Sequence, residues 1–261
     1  MTWFEALILG LVQGLTEFLP VSSSGHLEIG KVLLNVEVKE NLTFTVLVHF
    51  ATVLSIITVF FKEIRDLSKG LLAFRWNAET QYVARILVSM IPVLIVGVLF
   101  QDEVESLFSG NLVLVGASLL VTAILLISTQ LVKPGHKKIP FADAFIIGIA
   151  QAVAVVPGIS RSGATISTGL LLGNDRDEVA RFSFLMVLLP IIGAALLDIL
   201  SISSSAGSAA IPALSLVTGF VTAYISGYLA CSWMIRLVRK GNLSWFALYC
   251  ALVGIISIIF A

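Results

Sequence analysis

The sequence predicts an all-α integral membrane protein with six transmembrane helices and two re-entrant helix–loop–helix hairpins, arranged as two repeats of inverted topology. Three observations carry this expectation. Of 261 residues, 58% are hydrophobic and only 12% are charged, with a mean hydropathy of +1.03. A soluble domain carries about 25% charged residues, so lipid is the expected solvent. Long apolar runs recur along the whole chain. Two further apolar runs are cut in the middle by Pro, Gly and Ser.

The uninterrupted runs predict spanning helices over residues 41–61, 83–100, 111–132, 178–200, 211–237 and 243–260. The interrupted ones are residues 3–34 and 142–172. They break at Phe18-Leu-Pro-Val-Ser-Ser-Ser-Gly25 and at Val156-Pro-Gly-Ile-Ser-Arg-Ser-Gly163. Each half is too short to span, and irregular backbone at membrane depth survives only against protein or a wet cavity. Both are therefore read as re-entrant hairpins. No Lys or Arg precedes Lys31, and Gln13 and Glu17 interrupt the first apolar run, so it does not read as a signal peptide. Cys231 and Cys250 lie in apolar stretches without a Cys-x-x-Cys spacing and read as small core residues. Trp3, Trp76, Trp233 and Trp245 fall near predicted helix ends, as interfacial anchors do.

A shift of 138 residues superposes the two hairpins: Gly10 on Gly148, Gln13 on Gln151, Ser22 on Ser160, Ser24 on Ser162, Gly25 on Gly163, and beyond them Phe44 on Phe182. The chain is thus one membrane domain, residues 1–261, with repeat 1 covering about 1–135 and repeat 2 about 139–261. Basic residues fix the orientation. Lys62, Arg65, Lys69, Arg75, Arg85, Lys133, Lys137, Lys138, Arg176, Arg181, Arg236, Arg239 and Lys240 all fall on one face of the six-helix scheme, which the positive-inside rule makes cytoplasmic. The other face has Lys31 and Lys39, with Asp102, Glu103 and Glu105, and Asp198 closes a helix there in a solvated position. Three spanning helices per half is an odd number, so the second half inserts upside down. The hairpins then enter from opposite sides with their tips near the midplane, an arrangement known from transporters.

The charges placed deepest are Glu17 and Arg161, one per hairpin. A charge at membrane depth is costly unless paired or wet, so these two mark a functional site; the bland alternative is an ion pair that only locks the repeats together. Around them, Ser22, Ser23, Ser24 and Gly25 stand before one half-helix, and Ser160, Arg161, Ser162, Gly163 and Thr165 open another. Backbone N–H groups and the dipole at a helix start favour an anion, Gly admits close approach, and Arg offers a planar fork to phosphate oxygens. Facing runs of this kind suit a diphosphate. For hydrolysis, Ser23 supplies a nucleophile, and His26, at i+3 on the same helical face, or Glu17 supplies a proton acceptor. Gln13 stands four residues before Glu17 on one face. Glu17 alone makes a poor protein-built metal site, although Mg²⁺ or Ca²⁺ held mostly by water and phosphate remains open. His49 reads as hydrogen-bonded core, and Glu28 is placed on the outer rim without a role.

At Gln13-Gly-Leu-Thr-Glu17-Phe-Leu-Pro-Val-Ser-Ser-Ser-Gly-His26 and at Pro157-Gly-Ile-Ser-Arg-Ser-Gly-Ala-Thr165 the chain resembles the bacitracin-resistance family of undecaprenyl-diphosphate phosphatases. Both motifs are long and nearly continuous, and the helix pattern extends the resemblance over essentially the full chain. The resemblance implies hydrolysis of undecaprenyl diphosphate to the monophosphate, which recycles the lipid carrier of peptidoglycan synthesis, at a site open to the outer face of the bacterial inner membrane. By match it implies roles for Glu17, Ser23, His26, Ser160, Arg161 and Thr165. The family pattern accepts Glu or Gln at position 13, and Gln13 weakens a two-carboxylate metal site. The phosphatidic-acid-phosphatase type of lipid phosphatase is excluded, because it needs a His where Ser167 stands. The alternative in another class is a lipid-phosphate transporter or flippase, which the inverted repeats favour and which needs no nucleophile. No feature points to nucleic acid, and the oligomeric state, a homodimer included, stays open.

Overall fold

In lipid every backbone polar group must be satisfied within the chain, and helices do this segment by segment. The computed structural model describes residues 1–33, 42–107, 110–133, 135–193 and 211–261, and they are overwhelmingly helical. The helices are α1 (Trp3–Phe18), α2 (Ser23–Leu33), α3 (Leu42–Val59), α4 (Phe61–Leu72), α5 (Ala78–Leu99), α6 (Gln101–Ser106), α7 (Leu112–Ser128, prolonged by a 3₁₀ turn to Leu131), α8 (Phe141–Val153), α9 (Arg161–Leu171), α10 (Arg176–Met186), α11 (Ala213–Lys240) and α12 (Ser244–Ile259). Among the described residues the only β-pairing is two isolated bridges, Gly135 with Asp175 and Lys137 with Asn174.

Among the described residues three helices are long and apolar enough to cross a membrane: Ala78–Leu99, Leu112–Leu131 and Ala213–Lys240. A fourth span results if α3 and α4, bent by 77° at Phe60, are counted together. The architecture is that of an all-helical, multi-pass membrane protein. Both interrupted segments break where expected, α1 from α2 at residues 19–22 and α8 from α9 at residues 154–160. Of the expected span 178–200, residues 194–200 lie outside the described residues, as do Lys39 and Asp198.

Two expectations change. The stretch between the first two expected spans, residues 62–82, for which the sequence predicts no element, is largely helical. Its first half is amphipathic α4, with Ile64 and Leu67 packed on the core and Lys62, Arg65 and Lys69 turned away from it. Its last part is already α5, because the Asn77 side chain accepts the Thr80 N–H and starts that helix five residues before residue 83. Arg85 therefore lies within α5, 3.9 Å from Glu178 and over the Phe141 ring. Glu28 is 6% exposed, buried rather than on a rim, because α2 turns it inward.

The packing depends on small residues. With no hydrophobic drive between helices in lipid, association rests on close contact, which Gly permits. α1 lies against α11 through Gly10 and Gly14, which touch Gly219, Ala223 and Ser226. Gly148 of α8 abuts the Ser89 carbonyl of α5. α7 and α12 cross at Gly116 and Gly254, each backbone against the other's carbonyl oxygen. The aromatic core threads between these seams, with Phe184 at 6.1 Å from Phe18 and 6.2 Å from Phe60. The basic segments gather at one end: Arg239 meets Asp177 at 3.0 Å, Lys137 meets Asp143 at 2.8 Å, and Gln130 donates to the Gly241 carbonyl. The four tryptophans are all at least half exposed. Both cysteines are free and buried, as expected of core residues.

A Cβ at Gly10 would stand 2.5 Å from the Gly219 carbonyl oxygen, with backbone on both sides and no flexible neighbour to yield. Gly10→Ala is expected to destabilise the fold by about 1–3 kcal/mol. Gly97→Ala, where a Cβ meets nothing within 4 Å, should be neutral or slightly stabilising. Thermal unfolding of both variants in one detergent checks the contrast.

Candidate active site

The two helix breaks meet. At the first, Leu19 turns to extended backbone, the Val21 N–H closes back on the Leu19 carbonyl, and Ser22 adopts φ +71°. A non-Gly residue in this left-handed region carries strain of order 1 kcal/mol, and such positions cluster at functional sites. At the second, Gly158 takes φ +98°. Gly25 then packs on the Gly158 Cα, Gly163 on Pro20, and the Ser162 hydroxyl donates to the Leu19 carbonyl. Long helices hold each break from behind. Thr122 of α7 donates to the Gly158 carbonyl and accepts the Ser160 N–H. Cys250 of α12 donates weakly to the Pro20 carbonyl.

The helix starts beyond the breaks are built alike. Ser22 Oγ accepts the Gly25 N–H at 3.2 Å and lies 3.3 Å from Ser24 Oγ. Ser160 Oγ accepts the Gly163 N–H at 3.1 Å and lies 3.2 Å from Ser162 Oγ. Each first serine is thus the cap, and the N–H groups of residues 23 and 24, and of 161 and 162, lie in the first turn of their helices, where no intrahelical carbonyl is in reach and the dipole is positive. Thr165 is turned into its own helix and donates to the Arg161 carbonyl.

Glu17 stands at the centre, its side chain 3% exposed. Phe18 wedged on Phe184 fixes the end of α1 and therefore this carboxylate. Oε1 accepts Arg161 Nη2 at 2.8 Å across the two breaks. Oε2 accepts the Ser23 hydroxyl at 2.6 Å and Gln13 Nε2 at 3.0 Å. Glu17, Ser23, Arg161 and Gln13 are thus brought together as the sequence indicated. Between the two proton acceptors left open, the geometry places the Ser23 hydroxyl on Glu17. His26 is directed elsewhere: Nδ1 lies 2.8 Å from the Ser22 carbonyl and Nε2 lies 2.8 Å from the Tyr249 hydroxyl of α12. The i, i+3 spacing put Ser23 and His26 on one face, but the imidazole folds back on the carbonyl four residues before it, as His49 does on Thr45.

Tyr249 is a residue the sequence reading missed, and its distance of 223 positions from His26 left no signal. His49 makes the contact expected of a hydrogen-bonded core histidine, its Nδ1 2.8 Å from the Thr45 carbonyl. Beside the ion pair a cavity with room for about one water molecule is lined by Glu17, Gln151, Arg161, Ser162, Thr165 and Ser183. The residues do not form a cage for a divalent cation. Among the described residues no three His, Cys, Asp or Glu side chains converge, and both oxygens of Glu17 already have donors.

A carboxylate holding a serine hydroxyl, an arginine and two capped helix starts converge between the paired halves. The profile of the family described as bacitracin resistance protein BacA matches residues 6–256, almost the entire chain and both breaks. The chain belongs to this family. Within it, a protein of Bacteroides fragilis named undecaprenyl-diphosphatase is 57% identical over 261 residues, covering 99% of this chain and 98% of the relative. One of Parabacteroides distasonis with the same name is 57% identical over 260 residues, with the same coverage. A more distant BacA relative, the undecaprenyl-diphosphatase of Halothermothrix orenii, is 41% identical over 264 residues, covering 100% and 99%.

Arg161→Lys keeps the charge but loses the planar fork that reaches Glu17 while presenting further donors. Loss of one charge-assisted hydrogen bond should lower turnover of a polyprenyl diphosphate by about 10- to 100-fold. Phosphate release by the purified variant checks this, and near-normal turnover would show that the bidentate clamp has been overrated.

Proposed function

We propose that this BacA family member is an undecaprenyl-diphosphate phosphatase that removes the terminal phosphate from the lipid carrier of peptidoglycan synthesis, an activity tied to bacitracin resistance. The observation that supports this most directly is the 2.6 Å hydrogen bond from Ser23 Oγ to Glu17, set beside the unspent N–H groups of two helix starts. The names of relatives at 55–57% identity point the same way. A lipid-phosphate flippase would use the same inverted halves, but it needs no hydroxyl poised on a carboxylate.

In this reading the diphosphate docks on the N–H groups opening α2 and α9, with Arg161 on its oxygens. Ser23 Oγ attacks the terminal phosphorus while its proton passes to Glu17 Oε2. An Oγ–P bond forms, the bond from that phosphorus to the bridging oxygen breaks, and polyprenyl phosphate leaves with the electron pair. Water then attacks the phosphoseryl phosphorus: Glu17 returns the proton to Ser23 Oγ as the Oγ–P bond breaks, and orthophosphate leaves carrying the water's protons. The Ser22, Ser24, Gly25, Ser160, Ser162, Gly163 and Thr165 set shapes the loops and supplies donors. A divalent cation, Mg²⁺ or Ca²⁺, would arrive on the diphosphate oxygens and find Glu17 as its one protein carboxylate.

We further infer six spans and two re-entrant hairpins in two inverted repeats, in the bacterial inner membrane with the site open to the outer face. Several facts support the repeats. α2 and α9 begin and end 138 residues apart, their first turns share one hydrogen-bond pattern, and Gly116 and Gly254, also 138 apart, touch each other reciprocally. That mutual contact is what a two-fold axis between the halves requires. The gathering of Arg239, Lys137 and Arg85 at one end supports a cytoplasmic assignment for that end.

Ser23→Ala should lose on the order of 10³-fold or more in phosphate release, whereas Ser22→Ala and Ser24→Ala lose less; repeating the assay with EDTA tests the cation. If Ser23→Ala turns over within a few-fold of the parent, the nucleophile is a directly activated water. For topology, single cysteines at Asp102 and Lys138, in a background lacking Cys231 and Cys250, should react from outside and from the cytoplasm respectively. Reversal of either would sink the six-span scheme.

A further inference from the structure

The contact that the catalytic scheme leaves unused is the one between His26 and Tyr249. A backbone carbonyl can only accept, so the 2.8 Å contact with Ser22 O requires the proton on His26 Nδ1. In the neutral ring Nε2 is then the lone pair, and the Tyr249 hydroxyl at 2.8 Å is its donor. The two rings are also nearly parallel, 11° apart with centroids at 5.5 Å, so the imidazole is held in plane as well as along its edge. The register is fixed from both sides. Ser22, the carbonyl partner, is pinned at positive φ by its own cap of Gly25, and Cys250, the neighbour of Tyr249, is anchored to the Pro20 carbonyl in the same break. Tyr249 itself is 43% exposed on α12, at the edge of the site rather than in its interior.

We propose that Tyr249 is a positioning residue that acts through His26: its hydroxyl bonds Nε2 and keeps the imidazole edge on the Ser22 carbonyl, so that the turn carrying Ser23 holds its hydroxyl on Glu17. The proposal rests on the reading of the Ser22–His26 turn as part of the diphosphate site. It assigns a division of labour: Glu17 takes the Ser23 proton, and the His26–Tyr249 pair fixes the turn that presents Ser23. If Tyr249 merely packed α12 against the turn, its hydroxyl would be dispensable while its ring was kept.

Tyr249→Phe makes that separation, because it retains the ring stack and deletes only the hydroxyl. With ¹⁵N-histidine labelling in detergent, the His26 resonances are assigned by their loss in His26→Asn, since the chain has three histidines. Both proteins should show the Nδ1–H tautomer that the Ser22 carbonyl imposes, and the unprotonated Nε2 resonance should move in Tyr249→Phe as it loses its donor. Turnover should fall about tenfold, chiefly in kcat with KM changed less than about twofold. In the His26→Asn background the same substitution should cost almost nothing further, as expected for a residue that acts through His26. An unchanged Nε2 resonance in Tyr249→Phe, unchanged turnover, or an equal loss in both backgrounds would each overturn the proposal. Failure of the phosphatase reading itself would show separately, as no phosphate release from a polyprenyl diphosphate by the parent protein.

Discussion

The arrangement depends on one buried ion pair, Glu17 with Arg161, made across two places where the backbone is not helical. Neither break satisfies all of its polar groups by itself, and either charge left alone among apolar helices would be costly. Together they settle each other. Breaking such a pair leaves an uncompensated charge and is strongly destabilising, while the pair itself contributes little net stability. Its value is therefore one of placement. It brings the starts of α2 and α9 within reach of one ligand, and it holds the carboxylate with one oxygen on the arginine and the other on the Ser23 hydroxyl.

The supports around the pair have the same logic on both sides. A serine cap orders each helix start, a glycine lets the opposing loop approach, and a hydrogen bond from a long helix grips the loop carbonyl: Thr122 on Gly158, Cys250 on Pro20. These are local solutions to a local problem, the unsatisfied backbone at a helix interruption. Their duplication means that whatever stiffens one loop has a counterpart for the other. The halves differ at Ser23 against Arg161, at Glu17, whose counterpart in the shift is Val155, at His26 against Ala164 and at Thr165 against Leu27.

Much of this was legible because membrane sequences are plain texts. Glu17 and Arg161 stood out as charges in apolar runs, and the breaks stood out as Pro, Gly and Ser where a helix should continue. Ser22, Ser24, Ser160 and Ser162 followed from their spacing. What escaped was set by tertiary contact or by subtle backbone geometry. The bend at Phe60 has no Pro or Gly to announce it. His26 bonds back to the Ser22 carbonyl and outward to a tyrosine far along the chain rather than to Ser23. Glu28 carried a charge that suggested exposure, yet α2 buries it. Spacing along one helix predicts which side chains share a face; it says nothing of what the rest of the protein presents to that face.

The crossing of Gly116 and Gly254 has a mechanical meaning. Where two backbones rest directly on each other's carbonyl oxygens, no side chain remains to rotate or compress, so the crossing has no travel along the line that joins the helices. Such crossings recur at Gly10 against the Gly219 carbonyl oxygen and at Gly148 against that of Ser89, so the helices meet at several unyielding points. The loops at Gly158 and Pro20 are gripped by α7 and α12, at Thr122 and Cys250, within two helical turns of the Gly116–Gly254 crossing. Their spacing is thus set by backbone resting on backbone, and a change of one methyl group at a glycine would be felt at the loops.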